Sequence, residues 1–468
     1  MADPKYQSAR KVAFQVLSQF DPQRNYAGLI LNRLLPETNE RQRATDLVFG
    51  TIRNRTAVDT VIETFSGKPA QRITKKLLCI IRLATYELVY SPQTPDYSIV
   101  NEAVENVKTI AGKKQIAFVN AVLRQIARHI TNRTEELAAA NVVRTLPQNP
   151  TTGCEFDTDF LADPETSPAK YLGTCFSLPE WLVNNWLSEY GTETVRQICL
   201  ASNRRPSIYI RPNILKIDAN LLGERFRKAD IDFEIVADPQ FSKQPQQAML
   251  RLKSPQAVDE LAGFAQGFFS VQDISASQAV YILNPLLRGT ILDLCAAPGG
   301  KTTQLAETIA GAGRIIATDV DTGRLEKIRE NIARLGLINV EIVAYKDLEK
   351  GAADVGKFDA ILLDVPCSNT GVLTRRIEVR FRITSTKIEK LAKVQTELLN
   401  KAAMLVKPGG KICYSTCSIQ REENNDRIKD FLASNPTFQL ESERLILPSA
   451  EHTDHDGGYV AILRSTAQ

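Results

Sequence analysis

Thr290-Ile-Leu-Asp-Leu-Cys-Ala-Ala-Pro-Gly-Gly-Lys-Thr-Thr303 decides the fold. Its first six residues read as an apolar strand, its glycines as a tight turn, and Thr302 onward as a helix. The alternation continues outward. Arg314-Ile-Ile-Ala-Thr-Asp319 reads as a strand, followed by a helix carrying Leu325, Ile328 and Leu335. Strands recur at Val340–Val343, Phe358–Leu363, Lys411–Ser415 and Tyr459–Leu463. This is the α/β pattern of a doubly wound, mostly parallel sheet. Such sheets bind ligands at the carboxyl ends of their strands, near the switch in strand order. Asp293 to Lys301, Asp319, Asp347, Asp364, Cys367 and Cys417 all fall there.

The turn Cys295-Ala296-Ala297-Pro298-Gly299-Gly300-Lys301 departs from a phosphate loop, and an NTPase, with Phe358 to Asp364 as its magnesium-binding strand, is the minor alternative. Gly300-Lys-Thr matches the end of that motif, but its first glycine would fall at position 295, which is cysteine. The dinucleotide fingerprint is absent too. A turn where the backbone approaches a ligand closely remains. Asp319, ending the second strand, can accept both hydroxyls of a ribose. Four carboxylates, Asp293, Asp319, Asp347 and Asp364, suit cationic S-adenosylmethionine better than a pyrophosphate.

Two further stretches end in thiols: Ile361-Leu-Leu-Asp-Val-Pro-Cys-Ser368 and Lys411-Ile-Cys-Tyr-Ser-Thr-Cys-Ser418. If their strands are neighbours, the ends lie about 5 Å apart, and Cys367 and Cys417 can face one reacting group. Asp364 stands beside the first. A helix expected from about Gln420 would favour a thiolate at Cys417 through its dipole. Cys79, Cys199 and Cys413 read as small buried hydrophobes. With three histidines and no CxxC pair, neither a zinc site nor a disulfide framework is expected.

A chain of 468 residues suggests three domains. No apolar run is long enough to cross a membrane and no signal peptide is visible, so a cytoplasmic location is expected. The net charge of +4 is unevenly spread. Residues 1–130 hold 19 Lys and Arg against 11 Asp and Glu, whereas residues 131–175 hold 3 against 7. The basic half suggests a polyanion partner; a merely solvated helical surface is the alternative. Residues 1–131 read as a helical bundle from the i, i+3, i+4 spacing of Ala9, Val12, Ala13, Val16 and Leu17. Residues 132–176, poor in apolar side chains, read as an acidic linker. Residues 177–285 read as a small α/β unit, and 286–468 as the doubly wound domain.

Asp364-Val-Pro-Cys-Ser-Asn-Thr-Gly371, Tyr414-Ser-Thr-Cys-Ser418 and Cys295-Ala-Ala-Pro-Gly-Gly-Lys301 together resemble the RNA cytosine-5 methyltransferases. Phe49-Gly-Thr-Ile-Arg53 and Phe118-Val-Asn-Ala-Val-Leu-Arg124 resemble the NusB-like RNA-binding domain. The whole chain is similar to the bacterial Sun/RsmB type, which modifies small-subunit (16S) ribosomal RNA. The resemblance implies a Rossmann-like methyltransferase sheet preceded by a small α/β RNA-binding unit and an all-α NusB-like bundle. It implies S-adenosylmethionine as cofactor, held by residues 295–301, Asp319, Asp347 and Asp364. It implies Cys417 as the nucleophile at cytosine C6, Cys367 as the group assisting loss of the C5 proton, Asp364 as a partner of the base, and Lys301 as polarising the base or holding phosphate. It also implies ribosomal RNA as the partner, with neither membrane nor metal, and a monomer is expected. Transfer RNA as substrate and a non-catalytic antitermination factor are the rivals.

Candidate RNA contacts are Arg53, Arg55, Arg72, Lys75, Lys76 and Arg124 in the bundle, Arg204, Arg205 and Arg211 at a domain edge, and Arg375, Arg376, Arg380 and Arg382 after the Cys367 loop. For those at the domain edge, a plain turn with solvated arginines is the alternative. The chain departs from the family at Ile377, Glu378 and Phe381, where relatives carry Pro, Asp and Trp. It departs also at Asn369 and Lys346, where Gly or Ala, and Gly, are usual.

Overall fold

Ser8 starts the first helix, its hydroxyl accepting from the Lys11 amide, and the apolar stripe from Ala9 to Leu17 turns inward. The computed structural model describes residues 6–237, 241, 248–254, 256–348 and 357–467. These divide into two compact units, one of residues 1–204 with 373–382, the other of residues 205–372 with 383–468. Among the described residues, no helix is long and apolar enough to cross a membrane.

The first unit opens with seven helices: α1 (Ala9–Gln19), α2 (Ala27–Leu34), α3 (Arg41–Arg53), α4 (Arg55–Ser66), α5 (Lys75–Tyr90), α6 (Asp96–Lys108) and α7 (Lys113–His129). The segment read as an acidic linker holds regular structure that the sequence did not show. Strands β1 (Ile130–Glu136), β2 (Thr145–Pro147) and β3 (Thr152–Phe156) form an antiparallel sheet in the order β1-β3-β2. Its apolar content is small but well placed, with Leu146, Cys154 and Phe156 fully buried. Arg133 fastens it to the end of α5, donating to the carbonyls of Leu88 (2.9 Å), Glu87 (2.9 Å) and Ser91 (2.8 Å) and pairing with Asp96 at 2.7 Å. A helix's last carbonyls lack partners, and a cation there is favoured twice, by hydrogen bonding and by the dipole. Helices α8 (Pro168–Cys175), α9 (Glu180–Tyr190) and α10 (Thr192–Asn203) complete the unit.

Residues 373–382 count with this unit, and the family departures there acquire reasons. Ile377 is buried in the core with Val16, Leu47 and Leu83. Glu378 accepts from the Ala27 amide at 3.0 Å, satisfying an orphan donor at the start of α2. Phe381 lies under the Arg55 guanidinium, 5.4 Å from ring centroid to charge.

The second unit holds two sheets. The smaller consists of β4 (Tyr209–Pro212), β5 (Phe233–Val236), β6 (Met249–Leu252) and β7 (Phe269–Val271), all antiparallel in the order β5-β6-β4-β7, with α11 (Ala219–Lys228) packed on it. After α12 (Gln278–Leu283) come β8 (Thr290–Asp293), α13 (Gly300–Thr308), β9 (Arg314–Ala317), α14 (Thr322–Leu335), β10 (Val340–Ile342) and β11 (Phe358–Asp364). Then follow α15 (Ser385–Leu405), β12 (Val406–Thr416), α16 (Asn425–Ser434), β13 (Phe438–Ile446) and β14 (Gly458–Ser465). The seven-stranded sheet has the order β10-β9-β8-β11-β12-β14-β13. Strands β8 to β12 pair in parallel and β14 runs antiparallel to both neighbours. The β-strand at 438–446 escaped the sequence reading because its side chains are mostly polar and exposed.

Central strands are buried on both faces. Along β11, Ile361 and Leu363 join one core, with Tyr414 and Leu463, while Ala360 and Leu362 join the other, with Cys413 and Ile462. Each fully buried aliphatic chain contributes about 1.5–3 kcal/mol relative to exposure. Arg211 belongs to this interior, not to an RNA surface, contrary to expectation. It is buried, donates to Gln272 Oε1 at 2.6 Å and pairs with Glu307 on α13. A buried, paired guanidinium has no donors to spare for phosphate.

Candidate active site

The strand order reverses between β8 and β11, and the residues that end these strands build the site. Asp293 ends β8 and is fully buried. Its Oδ2 accepts from Thr302 at 2.7 Å, while Oδ1 has no partner among the described residues. Gly299, in the left-handed region at φ +103°, turns the chain into α13. Asp319 follows β9, receiving the Ala297 amide on Oδ2 (3.1 Å) and the Asp321 amide on Oδ1 (2.9 Å). Asp347 sits half-buried in a short turn after β10. Burial and the charges of Asp293, Asp364 and Asp319 push the Cys295 thiol well above its usual range. The unpartnered buried oxygen of Asp293, with the neighbouring carboxylates of Asp319 and Asp364, fits a cation bearing ribose hydroxyls, as S-adenosylmethionine does. Residues 295–301 with Asp319 and Asp364 would hold it.

Burial raises the Asp293 carboxyl to about 7, against the pull of the Thr302 hydroxyl. Between its ordinary value of 3.8 and about 7, the folded protein keeps a proton that the unfolded chain has released. This group therefore makes the protein less stable as pH rises through that window. A bound cation reverses the preference for the neutral carboxyl. Calorimetric titration is expected to show S-adenosylmethionine affinity rising several-fold between about pH 6 and about pH 8. A flat profile would place Asp293 outside the cofactor's field.

The thiols come next. Strands β11 and β12 are neighbours in register, Asp364 opposite Ser415. Ser415 donates to Asp364 Oδ1 at 2.7 Å, and Lys301 Nζ pairs with Oδ2 at 2.7 Å. Burial alone would lower the Lys301 pKa, but Asp364, with Cys417 and Asp293, more than offsets it, and the ammonium is held above its usual range. The sulfurs of Cys367 and Cys417 lie 3.0 Å apart, and both cysteines are free. Lys301 and Cys417 line one cavity of ≈ 50 Å³ with Asp273, Asp456 and Tyr459. The hydrogen bond with Cys417, then burial, then the charges of Cys417 and Glu423 hold Cys367 well above the ordinary thiol value.

Two loop residues keep this geometry. Asn369 has φ +62°, which asparagine tolerates better than most residues. Its amide donates to the Cys367 carbonyl at 2.8 Å, and its Oδ1 accepts from Cys417 Sγ at 3.1 Å. Gly371 donates to the Cys417 carbonyl at 3.0 Å, and a Cβ on it would meet the Gly457 carbonyl at 2.5 Å. The helix expected from about Gln420 begins there only as a short 3₁₀ turn with Gln420 as its N-cap. Residues Arg421–Glu423 form a single tight turn and α16 starts at Asn425, so no helix N-terminus directly follows Cys417.

The other predicted RNA contacts separate by burial. Arg53 is buried and donates to the Thr374 carbonyl at 3.1 Å; Arg380 is buried beneath carbonyls. Neither can reach phosphate, which corrects both. Arg55 and Arg204 are half-buried, while Arg72, Lys75, Lys76, Arg124, Arg205, Arg375 and Arg376 are exposed. Arg382 is half-buried and donates to the Asn25 carbonyl at 2.5 Å. Asn120, next to Arg124, accepts from it at 3.0 Å. No group of three or more side chains able to hold a metal occurs among the described residues. The sequence reading missed Glu423. It follows the exposed Glu422, yet is fully buried, and nothing in the local pattern marks the difference.

The sheet order and the carboxylates at the strand ends fit an S-adenosylmethionine-dependent methyltransferase domain. Residues 280–461 match the model of the family described as 16S rRNA methyltransferase RsmB/F. Residues 7–128 match the NusB family, and 178–259 the RsmF/B-like ferredoxin-like domain. The chain is 31% identical over 461 residues to the "Probable ribosomal RNA small subunit methyltransferase B" of Synechocystis sp., covering 97% of this chain and 96% of that one. It is 30% identical over 440 residues to the ribosomal RNA small subunit methyltransferase B of Salmonella paratyphi B, covering 93% and 92%. The crystal structure of PH0851 shares the fold, with a TM-score of 0.73 over 99% of each chain at 24% identity. The chain therefore belongs to the RsmB/F family of 16S rRNA methyltransferases.

Proposed function

We propose that the protein transfers a methyl group to C5 of a cytosine in small-subunit (16S) ribosomal RNA, through a covalent bond between Cys417 and C6. The 3.0 Å approach of the two thiols, beside the Lys301–Asp364 pair, carries this reading. S-adenosylmethionine, when bound, supplies the methyl cation equivalent. Cys417 as thiolate adds to C6 of a cytosine turned out of its stack. The C5–C6 double bond opens, and C5 becomes the nucleophile that accepts the methyl group. Asp364 and Lys301 offer a carboxylate and a cation to the base edge as charge develops. As a thioether, Cys417 loses both its charge and its hydrogen bond to Cys367, the largest support of the latter's raised pKa. Cys367 then sheds its proton to solvent and, as thiolate, takes the proton from C5. The double bond re-forms and Cys417 leaves as thiolate.

The test is incubation of wild-type protein with isotope-labelled S-adenosylmethionine and either 16S transcripts or transfer RNA, followed by nucleoside analysis. Label in 5-methylcytidine from 16S RNA is expected. Label in another nucleoside, or from transfer RNA alone, would overturn the reading, and no label would favour a non-catalytic binding protein. The exposed arginines are proposed to bind RNA backbone. Arg376→Ala is expected to weaken 16S RNA binding and to reduce the slope of log affinity against log salt by about 1. Filter binding across a salt series measures it; an unchanged slope would remove Arg376 from the contacts.

A further inference from the structure

The residues that follow the two reactive cysteines share one buried carboxylate. Glu423 Oε1 accepts from the Ser368 amide at 2.8 Å and from Gln395 Nε2 at 3.1 Å. Its Oε2 accepts from the Ser418 hydroxyl at 2.5 Å and from the Ser368 hydroxyl. The serine hydroxyls also lie 3.1 Å from each other, and Thr370 Oγ1 lies 3.0 Å from Ser418 Oγ and accepts the Ile419 amide at 3.1 Å. Gln395 reaches from α15 to the Pro366 carbonyl at 3.0 Å, closing the ring beneath the Cys367 loop. Burying a carboxylate this deeply costs several kcal/mol unless its lone pairs are used, and here four donors use them. An apolar side chain would fill the same space without that cost. The charge therefore calls for an explanation in the site above it.

We propose that Glu423 is a positioning residue for the methyl transfer: its carboxylate ties the segment after Cys367 to the segment after Cys417, holding the two sulfurs in reacting register. This rests on the roles proposed for the two cysteines. The negative charge of Glu423 opposes ionisation of Cys367, so the thiolate, once formed, grips a proton more tightly. Burial in turn raises the Glu423 carboxyl, and the Ser368 and Ser418 hydrogen bonds pull it back. The other polar groups around it are few. From β12, the Tyr414 hydroxyl donates to the Glu423 carbonyl at 2.6 Å and is held neutral by burial and by Glu423. From α16, Arg427 donates to the Glu422 carbonyl at 2.8 Å. Gln395 on α15 is uncharged. On the Cys417 side, Lys301 and Asp364 are paired to each other, Asp273, Asp456 and Tyr459 line the cavity with Cys417, and Asn369 Oδ1 accepts from its sulfur at 3.1 Å.

Glu423→Gln keeps the volume, removes the charge and turns one acceptor oxygen into a donor, so the tie between the two loops is weakened. Loss of the C5 proton requires Cys367 as thiolate, so product release rises with pH through the Cys367 pKa. Removing the opposing charge lowers that pKa, and the rising limb of the pH–rate profile moves to lower pH. Turnover on 16S RNA is expected to fall about 10- to 100-fold, as misplaced reacting groups cost. KM for RNA and the affinity for S-adenosylmethionine are expected to stay within about twofold, because no cofactor or backbone contact is touched. Wild-type turnover would overturn the proposal. So would reduced turnover with an unmoved limb, which makes the residue merely structural. If Glu423→Gln does not fold, Ser418→Ala removes one donor and leaves the carboxylate; it is expected to lower turnover several-fold at unchanged cofactor affinity, and unchanged turnover would overturn the proposal. Wild-type protein run beside each variant separates the two readings. Absence of a Cys417-dependent adduct and of 5-methylcytidine there is a failure of the catalytic reading, which takes this one with it. Their presence leaves Glu423 judged on its own variants.

Discussion

Incubated with S-adenosylmethionine and protein-free 16S RNA, the Cys367→Ala protein is expected to give a slow-migrating species on a denaturing gel that disappears with RNase. Cys417→Ala is expected to give neither that species nor any methylated RNA. The asymmetry follows from the role proposed for each thiol. Without Cys417 there is no bond to C6, C5 never becomes nucleophilic, and a loss of many orders of magnitude is expected. Without Cys367 the addition and methyl transfer still proceed, but no group 3.0 Å from the Cys417 sulfur remains to take the C5 proton. The C5–C6 double bond then cannot re-form, and the protein stays attached. An adduct from Cys417→Ala and none from Cys367→Ala would reverse the two roles. No adduct from either, with an active wild type, would point to transfer without a covalent RNA intermediate. A cross-check is mass spectrometry of the trapped peptide, which should carry the nucleotide on Cys417 and one added methyl group.

The parts of this site that were legible in the sequence are those fixed by strand ends. Apolar runs such as Phe358–Leu363 and Thr290–Asp293 announce parallel strands buried on both faces, and whatever follows them must lie at the ligand-binding edge. Asp319, Asp364, Cys367 and Cys417 could therefore be brought together before any coordinates, and the pairing of β11 with β12 does bring the thiols together. What was illegible depends on distant backbone. Arg211 and Arg133 look in sequence like any surface arginine; one meets Glu307 and the other the carbonyls at the end of α5. The sheet of residues 130–156 was hidden because a few buried side chains and one arginine hold it, not a periodic stripe. Glu423 was hidden because its partners, Ser368 and Ser418, arrive from two loops fifty residues apart, and neither loop predicts where an acid one turn further on will point.

Arg380, expected at an RNA surface but buried, carries the second large expected effect. Arg380→Ala is expected to destabilise the helical unit by about 3–5 kcal/mol, read as a fall in the denaturant midpoint at unchanged slope. The guanidinium is buried without a carboxylate in hydrogen-bonding reach among the described residues. Its Nη1 donates to the carbonyl of Arg53 at 2.6 Å, the carbonyl of Phe176 at 3.2 Å and Asn203 Oδ1 at 2.9 Å. Its Nη2 donates to the carbonyls of Ser202 at 3.1 Å and Leu373 at 3.5 Å. Arg53 ends α3, Phe176 caps the end of α8, and Ser202 lies in the last turn of α10. One cation thus serves the carboxyl ends of three helices, where unpaired carbonyls and dipoles make a negative site without any formal charge. Burial draws its pKa down to about 9, which leaves it protonated at neutral pH. Truncation to alanine removes the donors and strands the carbonyls in a dry interior, each costing about 1–3 kcal/mol if unrelieved, with partial relaxation keeping the sum lower. Arg380→Lys retains the charge but cannot span acceptors arranged for a planar fork, so about half the loss is expected to persist. If Arg380 bound RNA instead, alanine would leave the midpoint unmoved and weaken RNA binding with a shallower salt slope. S-adenosylmethionine affinity, measured on the same preparation, checks that the methyltransferase unit remains folded while the helical unit is tested.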